Sequence, residues 1–325
     1  MTITLAKCPV CATASFKRLT VPGHWIGQEV FGPLQGKLGL CRCRSCGFIF
    51  TNPRPAPEIL ERFYSGTTYS CHKPNTAPAA VRVANYLLSL LDRPGQPKTP
   101  TRRLLDFGCG GGFLLRCARN AGWDASGFDP GEEARRACRE QGLPVFDSLD
   151  ALPERGFDVV LLSHVLEHVE DFDGFFAVCR RILAPQGRLF IKSPNAASLR
   201  ARLATPLLSR HAGFDERYRA FPIHLSYFTP GTLRRLLERN GFRVTFSATS
   251  GMGLEEIFLR PEPEPEYEKP ETPSASAAPA SRPARPSGAA GALKSGVKNS
   301  FHALKLGEYL LAIAMRESAD TTLRA

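Results

Sequence analysis

From Leu104 to Leu115 the chain reads LLDFGCGGGFLL, and few folds accommodate such a run. An apolar pair enters Asp106, glycines follow at Gly108, Gly110, Gly111 and Gly112, and an amphipathic stretch begins at once. That order predicts a buried strand, a tight turn and a helix start. Glycine suits the turn because a Cβ would block both positive φ and close approach of the backbone to a ligand. A dinucleotide fingerprint needs a third glycine where Phe113 stands, and a phosphate loop needs Lys-Ser/Thr after its last glycine; the chain has neither. About twenty residues on, Trp123 to Phe128 reads as a second strand running into Asp129. A carboxylate there can accept hydrogen bonds from both ribose hydroxyls, so the expected ligand is an adenosyl compound without phosphates.

Further strands alternate with helices: Phe157 to Leu162, then Phe172 to Leu183, then Arg188 to Ser193. This rhythm predicts an α/β fold, a Rossmann-like mostly parallel sheet with helices on both faces. Ligands in such sheets sit at the carboxyl ends of the strands, where Asp106, Asp129, Ser163 and His164 fall.

LLDFGCGGGFLL, GFDP and FDVVLLSHVLEHVED resemble the motifs of class I S-adenosylmethionine-dependent methyltransferases, over roughly Leu104 to Phe246. The resemblance implies S-adenosylmethionine as cofactor, held by Asp106, Gly108, Cys109, Gly110, Asp129, Ser163 and His164. It also implies about seven strands ending in an antiparallel hairpin. A Pro/Glu and Pro/Ala/Ser stretch interrupts that hairpin at about 261–292, and its composition cannot support a core. It is expected to be a disordered insertion, with Ala292 to Leu306 a helix and Glu308 to Met315 the missing last strand; the alternative is an unrelated amphipathic tail.

At the N-terminus, Cys8-Pro-Val-Cys11 is answered by Cys43-Arg-Ser-Cys46. Two such knuckles can place four thiolates around one zinc, and four protein ligands leave no open position for water, so the metal is expected to be structural. Cys41 falls outside the pattern. Hairpins and loops are expected between the knuckles. CRCRSCGFIFTNPRPAPEILERFY resembles the N-terminal extension of a methyltransferase subgroup, which implies a glycan or other small-molecule acceptor. The expected division is a zinc-ribbon domain over 1–75 and a methyltransferase domain over 76–325. A polar hinge at Ser65 to Pro78 would couple the two only loosely.

The formal charge of +11 is spread out. Residues 1–75 carry an excess of six positive charges, 261–325 none, and the middle five. Nucleic acid is therefore disfavoured as partner, although an RNA methyltransferase gripping its substrate with the ribbon is an alternative, and a cofactor-binding scaffold is another. No apolar run is long enough to span a membrane and no apolar signal core opens the chain, so the ten cysteines read as reduced and the expected location is cytoplasmic.

Methyl transfer to a hydroxyl needs both reactants in line and a base for the proton. Near the fourth strand the chain offers His164, Glu167 and His168. After the fifth it offers His211, Asp215, Tyr218, His224 and Tyr227. Glu167 and His168 are expected to anchor the following helix, and His164 to meet the cofactor. His224, after a long irregular segment from Leu199 to Pro222 that would serve as a lid, is the chosen base, with Tyr227 orienting it.

Overall fold

The computed structural model describes residues 1–22, 25–65, 78–92, 102–204, 220–250 and 306–317. The hinge, most of the lid with His211, Asp215 and Tyr218, the insertion at about 261–292 and the expected helix after it lie outside the described residues.

The main sheet has seven strands. In chain order they are β6 (Arg103–Phe107), β7 (Asp124–Phe128), β8 (Val145–Phe146), β9 (Phe157–Ser163), β10 (Leu183–Pro194), β12 (Phe242–Ser250) and β13 (Tyr309–Arg316). Their spatial order is β12-β13-β10-β9-β6-β7-β8. β13 is antiparallel to both neighbours, while β10, β9, β6, β7 and β8 pair in parallel. The chain thus steps outward from β6 through β7 to β8, then returns to the other side of β6 as β9. The reversal opens a crevice at the carboxyl ends of β6 and β9.

Both faces of the sheet are buried, and alternate residues go to opposite sides. Leu104, Val159, Leu161 and Phe190 pack with Leu87 and Leu91 of the helical segment α3 (Pro78–Ser89) and its 3₁₀ extension, and with Leu115 and Ala118 of α4 (Phe113–Asn120). Leu105, Val160, Leu162, Leu189 and Ile191 pack with Phe176 and Ile182 of α6 (Phe172–Ile182) and with Leu233 and Leu237 of α7 (Pro230–Arg239). The Thr229 side chain caps α7 by accepting from the Thr232 N–H at 3.2 Å, with Pro230 at the first helical position. Between α4 and β8 runs α5 (Glu132–Glu140).

The N-terminal part holds a second sheet, ordered β11-β4-β3-β2, from β2 (Phe16–Leu19), β3 (Leu40–Cys43), β4 (Ile49–Thr51) and β11 (Ser226–Tyr227). Between the knuckles β2 and β3 pair antiparallel, and part of their connection, expected as hairpins and loops, forms a short helix, α1 (Gln28–Phe31), and a 3₁₀ turn, where Phe31 and Leu34 join the apolar cluster formed with Phe63 of α2 (Pro57–Tyr64). β11 comes from the far end of the chain, and Cys8, Cys43, Phe48 and Phe50 share one continuous core with Phe172, Phe228 and Leu233. Phe48 and Phe172 lie 5.4 and 6.0 Å from Phe228, ring centre to ring centre. The loose coupling expected from the hinge composition is not what the two parts display: they share a strand and a core.

Candidate functional site

The glycine loop closes over the ends of β6 and β7. The N–H groups of Gly108 and Cys109 donate to the Phe128 carbonyl at 2.7 and 3.1 Å, locking the loop to the neighbouring strand. Gly108 has φ +77°, and a Cβ there would lie 2.7 Å from Val165 Cγ2; Gly112, at φ +78°, would meet Leu143 at 2.5 Å. Both positions exclude a side chain on conformation and on space. The Cys109 sulfur turns inward, 3.9 Å from the Cys138 sulfur, so of Cys109 only the backbone belongs to the loop's ligand side.

Asp129 follows β7 and is clamped by two backbone donors, Gly110 N–H to Oδ2 at 2.9 Å and Gly131 N–H to Oδ1 at 2.8 Å. Asp106 lies behind it at 2% exposure, and its Oδ2 has no hydrogen-bond partner. Burial first, and the Asp129 charge second, push the Asp106 carboxyl up to about 7. A buried oxygen without a donor beneath a glycine loop suits a ligand that brings one.

Ser163 ends β9, paired with Lys192 of β10. The next residue, His164, takes φ +59°, which swings its ring toward Glu167: His164 Nδ1 and Glu167 Oε1 are 3.1 Å apart. Glu167 is 1% exposed and also accepts from the Ser193 hydroxyl at 2.9 Å. Burial opposes its ionisation, but the histidines around it, His164 foremost, win and hold the carboxyl at about 2. His168 Nδ1 lies 3.1 Å from the Ile223 carbonyl and 2.8 Å from the Tyr64 hydroxyl. Burial depresses the His168 pKa below its ordinary value.

His224, 7% exposed, packs its ring 4.8 Å from that of His168 and 6.3 Å from that of Tyr227. One ligand atom from each of Glu167, His168 and His224 lies within 4.8 Å of the others. Glu167 accepts from His164 and from Ser193, and its charge stands close to all three histidines. The sequence-chosen base and the strand-end histidine are thereby brought into one cluster. Tyr64 and Lys192 belong to its surroundings and were missed from sequence. Lys192, a charge closing the apolar run of β10, was the one legible signal; its Nζ stands 4.5 Å over the Tyr309 ring, and burial lowers its pKa.

At the other end of the ribbon, Cys8, Cys11, Cys43 and Cys46 meet. Their sulfurs all lie within 4.8 Å of one another, with Cys8 to Cys46 at 3.7 Å and Cys11 to Cys43 at 3.5 Å, far beyond the ~2.05 Å of a disulfide. Gly47 at φ +76° returns its N–H to the Cys43 carbonyl, closing the second knuckle. The Cys41 sulfur lies apart from them, donating to the Asn52 carbonyl at 3.5 Å.

A reversing parallel sheet, a glycine loop and an acid at the end of each of two strands define a nucleoside-binding α/β protein. The chain belongs to the methyltransferase domain family, whose model matches residues 80–246, and within it to the class I, S-adenosylmethionine-dependent group. It is 32% identical over 165 residues to the mitochondrial ubiquinone biosynthesis O-methyltransferase of Homo sapiens, covering 47% of this chain and 44% of that protein. To the ubiquinone biosynthesis O-methyltransferase of Methylococcus capsulatus it is 40% identical over 112 residues, 31% of this chain and 47% of that one. The chain thus spans about half the length of these curated relatives. Among solved structures, a SAM dependent methyltransferase from Archaeoglobus fulgidus superposes with TM-score 0.45 at 22% identity, covering 72% of this chain and 93% of that one. Magnesium protoporphyrin IX methyltransferase from Synechocystis, with bound SAH, gives TM-score 0.45 at 15% identity, covering 81% and 100%. No described helix is long and apolar enough to cross a membrane.

Proposed function

We propose that the protein transfers a methyl group from S-adenosylmethionine to a hydroxyl of a small-molecule or glycan acceptor. The observation that carries the cofactor half is the Asp129 carboxylate, oriented at the end of β7 by the Gly110 and Gly131 N–H groups beside the glycine loop. It would accept from the ribose hydroxyls, and the unpartnered oxygen of Asp106 would take a further donor. Ser163 and His164 would border the cofactor on the β9 side. The names of the relatives support oxygen as the target atom.

Bound S-adenosylmethionine would supply a methyl group already activated on a sulfonium sulfur. The chain's own residues must then align the acceptor and take its proton. His224 would accept that proton, with His168 against its ring and Tyr227 on the other side as positioning residues. His168, held by Ile223 and Tyr64, keeps this stack in place.

The cysteine cluster would hold one structural zinc. A tetrahedron with Zn–S bonds of ~2.3 Å has edges of about 3.8 Å, close to the 3.5 and 3.7 Å between paired sulfurs. Four thiolates fill it, leaving no position for substrate. Such a site fits a reducing compartment, which supports a cytoplasmic location. The test of the activity is transfer of labelled methyl from S-adenosylmethionine into a metabolite extract, with the product characterised by mass spectrometry. Methyl ethers are expected, and label confined to nitrogen or carbon would overturn the reading.

A further inference from the structure

The ribbon sheet has two faces of different chemistry. Its register sets Lys17 and Leu19 of β2 opposite Arg42 and Leu40 of β3, Arg42 opposite Ile49 of β4, and Ile49 opposite Tyr227 of β11. Directly paired residues project to one side, so these six form one face, and Cys41, Cys43, Phe16 and Phe50 form the other. The second face packs on the cysteine cluster and the shared core. Leu19, Leu40, Arg42, Ile49 and Tyr227 of the first face line a cavity of about 500 Å³, which Ala197 and Arg202 of the segment after β10 line as well. That volume suits a small organic ligand, for which pockets run from about 300 to 1,000 Å³.

The charges are one-sided. Lys17 and Arg42 stand directly opposite each other, an arrangement that destabilises a sheet unless an anion relieves it. Arg202, a third cation, lines the cavity together with Arg42, and among the described residues no Asp or Glu lines it. Among the described residues, none of these three side chains forms a hydrogen bond or ion pair. The sheet residues that line the cavity with Arg42 include the apolar Leu19, Leu40 and Ile49. Tyr227 lines this cavity and also meets the His224 ring at 6.3 Å, so the cavity borders the proposed base.

We propose that this cavity is an acceptor subsite that binds an anionic group, a carboxylate or a phosphate, carried on an apolar body, with Arg42 and Arg202 as its anchoring cations. Guanidinium forks match either anion. The ribbon is then a wall of the substrate site as well as a structural appendage. Calling the ligand the acceptor rests on the methyl-transfer reading; the binding itself does not.

The experiment is calorimetry on the full chain with 2-naphthoate, 2-naphthyl phosphate and the uncharged 2-naphthalenemethanol, in parallel with S-adenosylhomocysteine. At least one anion should bind about tenfold or more tighter than the alcohol and lose about that factor in Arg42→Ala and in Arg202→Ala. The preferred anion distinguishes carboxylate from phosphate. Both arginines are exposed, so the variants should keep the wild-type melting temperature and S-adenosylhomocysteine affinity. Equal affinity for anions and alcohol, no binding of either anion, or undiminished binding in both variants overturns the proposal. Failure of S-adenosylhomocysteine to bind, with naphthoate still dependent on the arginines, would instead sink the methyltransferase reading and leave the cavity assigned.

Discussion

The Thr51 hydroxyl donates to the His224 carbonyl at 3.0 Å, across 173 positions of sequence. On the adjoining residues, Thr51 N–H donates to the Leu225 carbonyl at 3.0 Å and Leu225 N–H to the Glu167 carbonyl at 2.8 Å. The backbone bearing His224 is therefore held between the second knuckle's strand and the turn after β9. Whatever fixes the knuckle fixes the histidine.

If the cysteines hold the proposed zinc, replacing Cys43 with Ser should release it and loosen β3 and β4. Because β4 carries the partner of His224, acceptor turnover should fall about 10- to 100-fold, the scale of a misplaced reacting group, while S-adenosylhomocysteine affinity changes little. Elemental analysis, single-turnover rates and calorimetry on the variant check this. Retention of zinc, or a normal transfer rate without it, would refute the coupling.

Asp129→Ala removes the proposed ribose acceptors and strips Gly110 and Gly131 of their hydrogen-bond partner. Cofactor affinity should weaken by about 1.5–3 kcal/mol, the range for bonds to a charged group. Calorimetry giving the wild-type affinity would end the assignment. His164→Ala is expected to disturb cofactor binding before it disturbs chemistry.

His224→Ala should slow transfer by about 100- to 10,000-fold at saturating acceptor, as loss of a positioned base does, with cofactor affinity nearly unchanged. His224 is buried, so its loss also opens a gap beside His168. A melting temperature that drops together with acceptor affinity, at an intact single-turnover rate, would make it a packing residue instead.

Asp106 adds a pH dependence to the cofactor-free protein. The native state keeps its proton up to about 7, whereas the unfolded chain, at its usual 3.8, has already released it. Between those values the native state binds more protons, so stability falls as pH rises, by up to about 1.4 kcal/mol per pH unit from this group, and levels off above 7. Asp106→Asn should flatten that part of the curve. Scanning calorimetry from about pH 5 to about pH 8 decides it: parallel curves for the two proteins would show that Asp106 does not titrate there.

The proposed cofactor site is marked in the sequence because its constraints are local. A glycine at φ +77° with no room for a Cβ beside Val165, or an acid at a strand end, leaves a mark in a short stretch of sequence, as does the spacing of two cysteine knuckles. The acceptor half is less so because its contacts are long-range. Nothing about Tyr64 announces that it meets His168 across 104 positions, nor about Thr51 that it meets His224. α1 was mistaken for loop because its apolar residues are few and answer to a cluster formed with α2 and with Phe221 and Ile223. β13 was found from its apolar run after Gly307. It pairs with β12 from Phe242↔Arg316 to Ser250↔Tyr309, with one register shift.

That pairing bears on how the protein is made. Among the described residues β12 bonds within the main sheet to β13 alone, and β13 in turn is its only link to β10, while positions 251 to 308 intervene between the two strands. During synthesis the β10 edge must therefore stay uncovered, and β12 unattached, until residues near 316 have left the ribosome. A chain cut after 250 would lose the places of two strands in the sheet, not one, and would expose the unpaired edge that invites association with other chains.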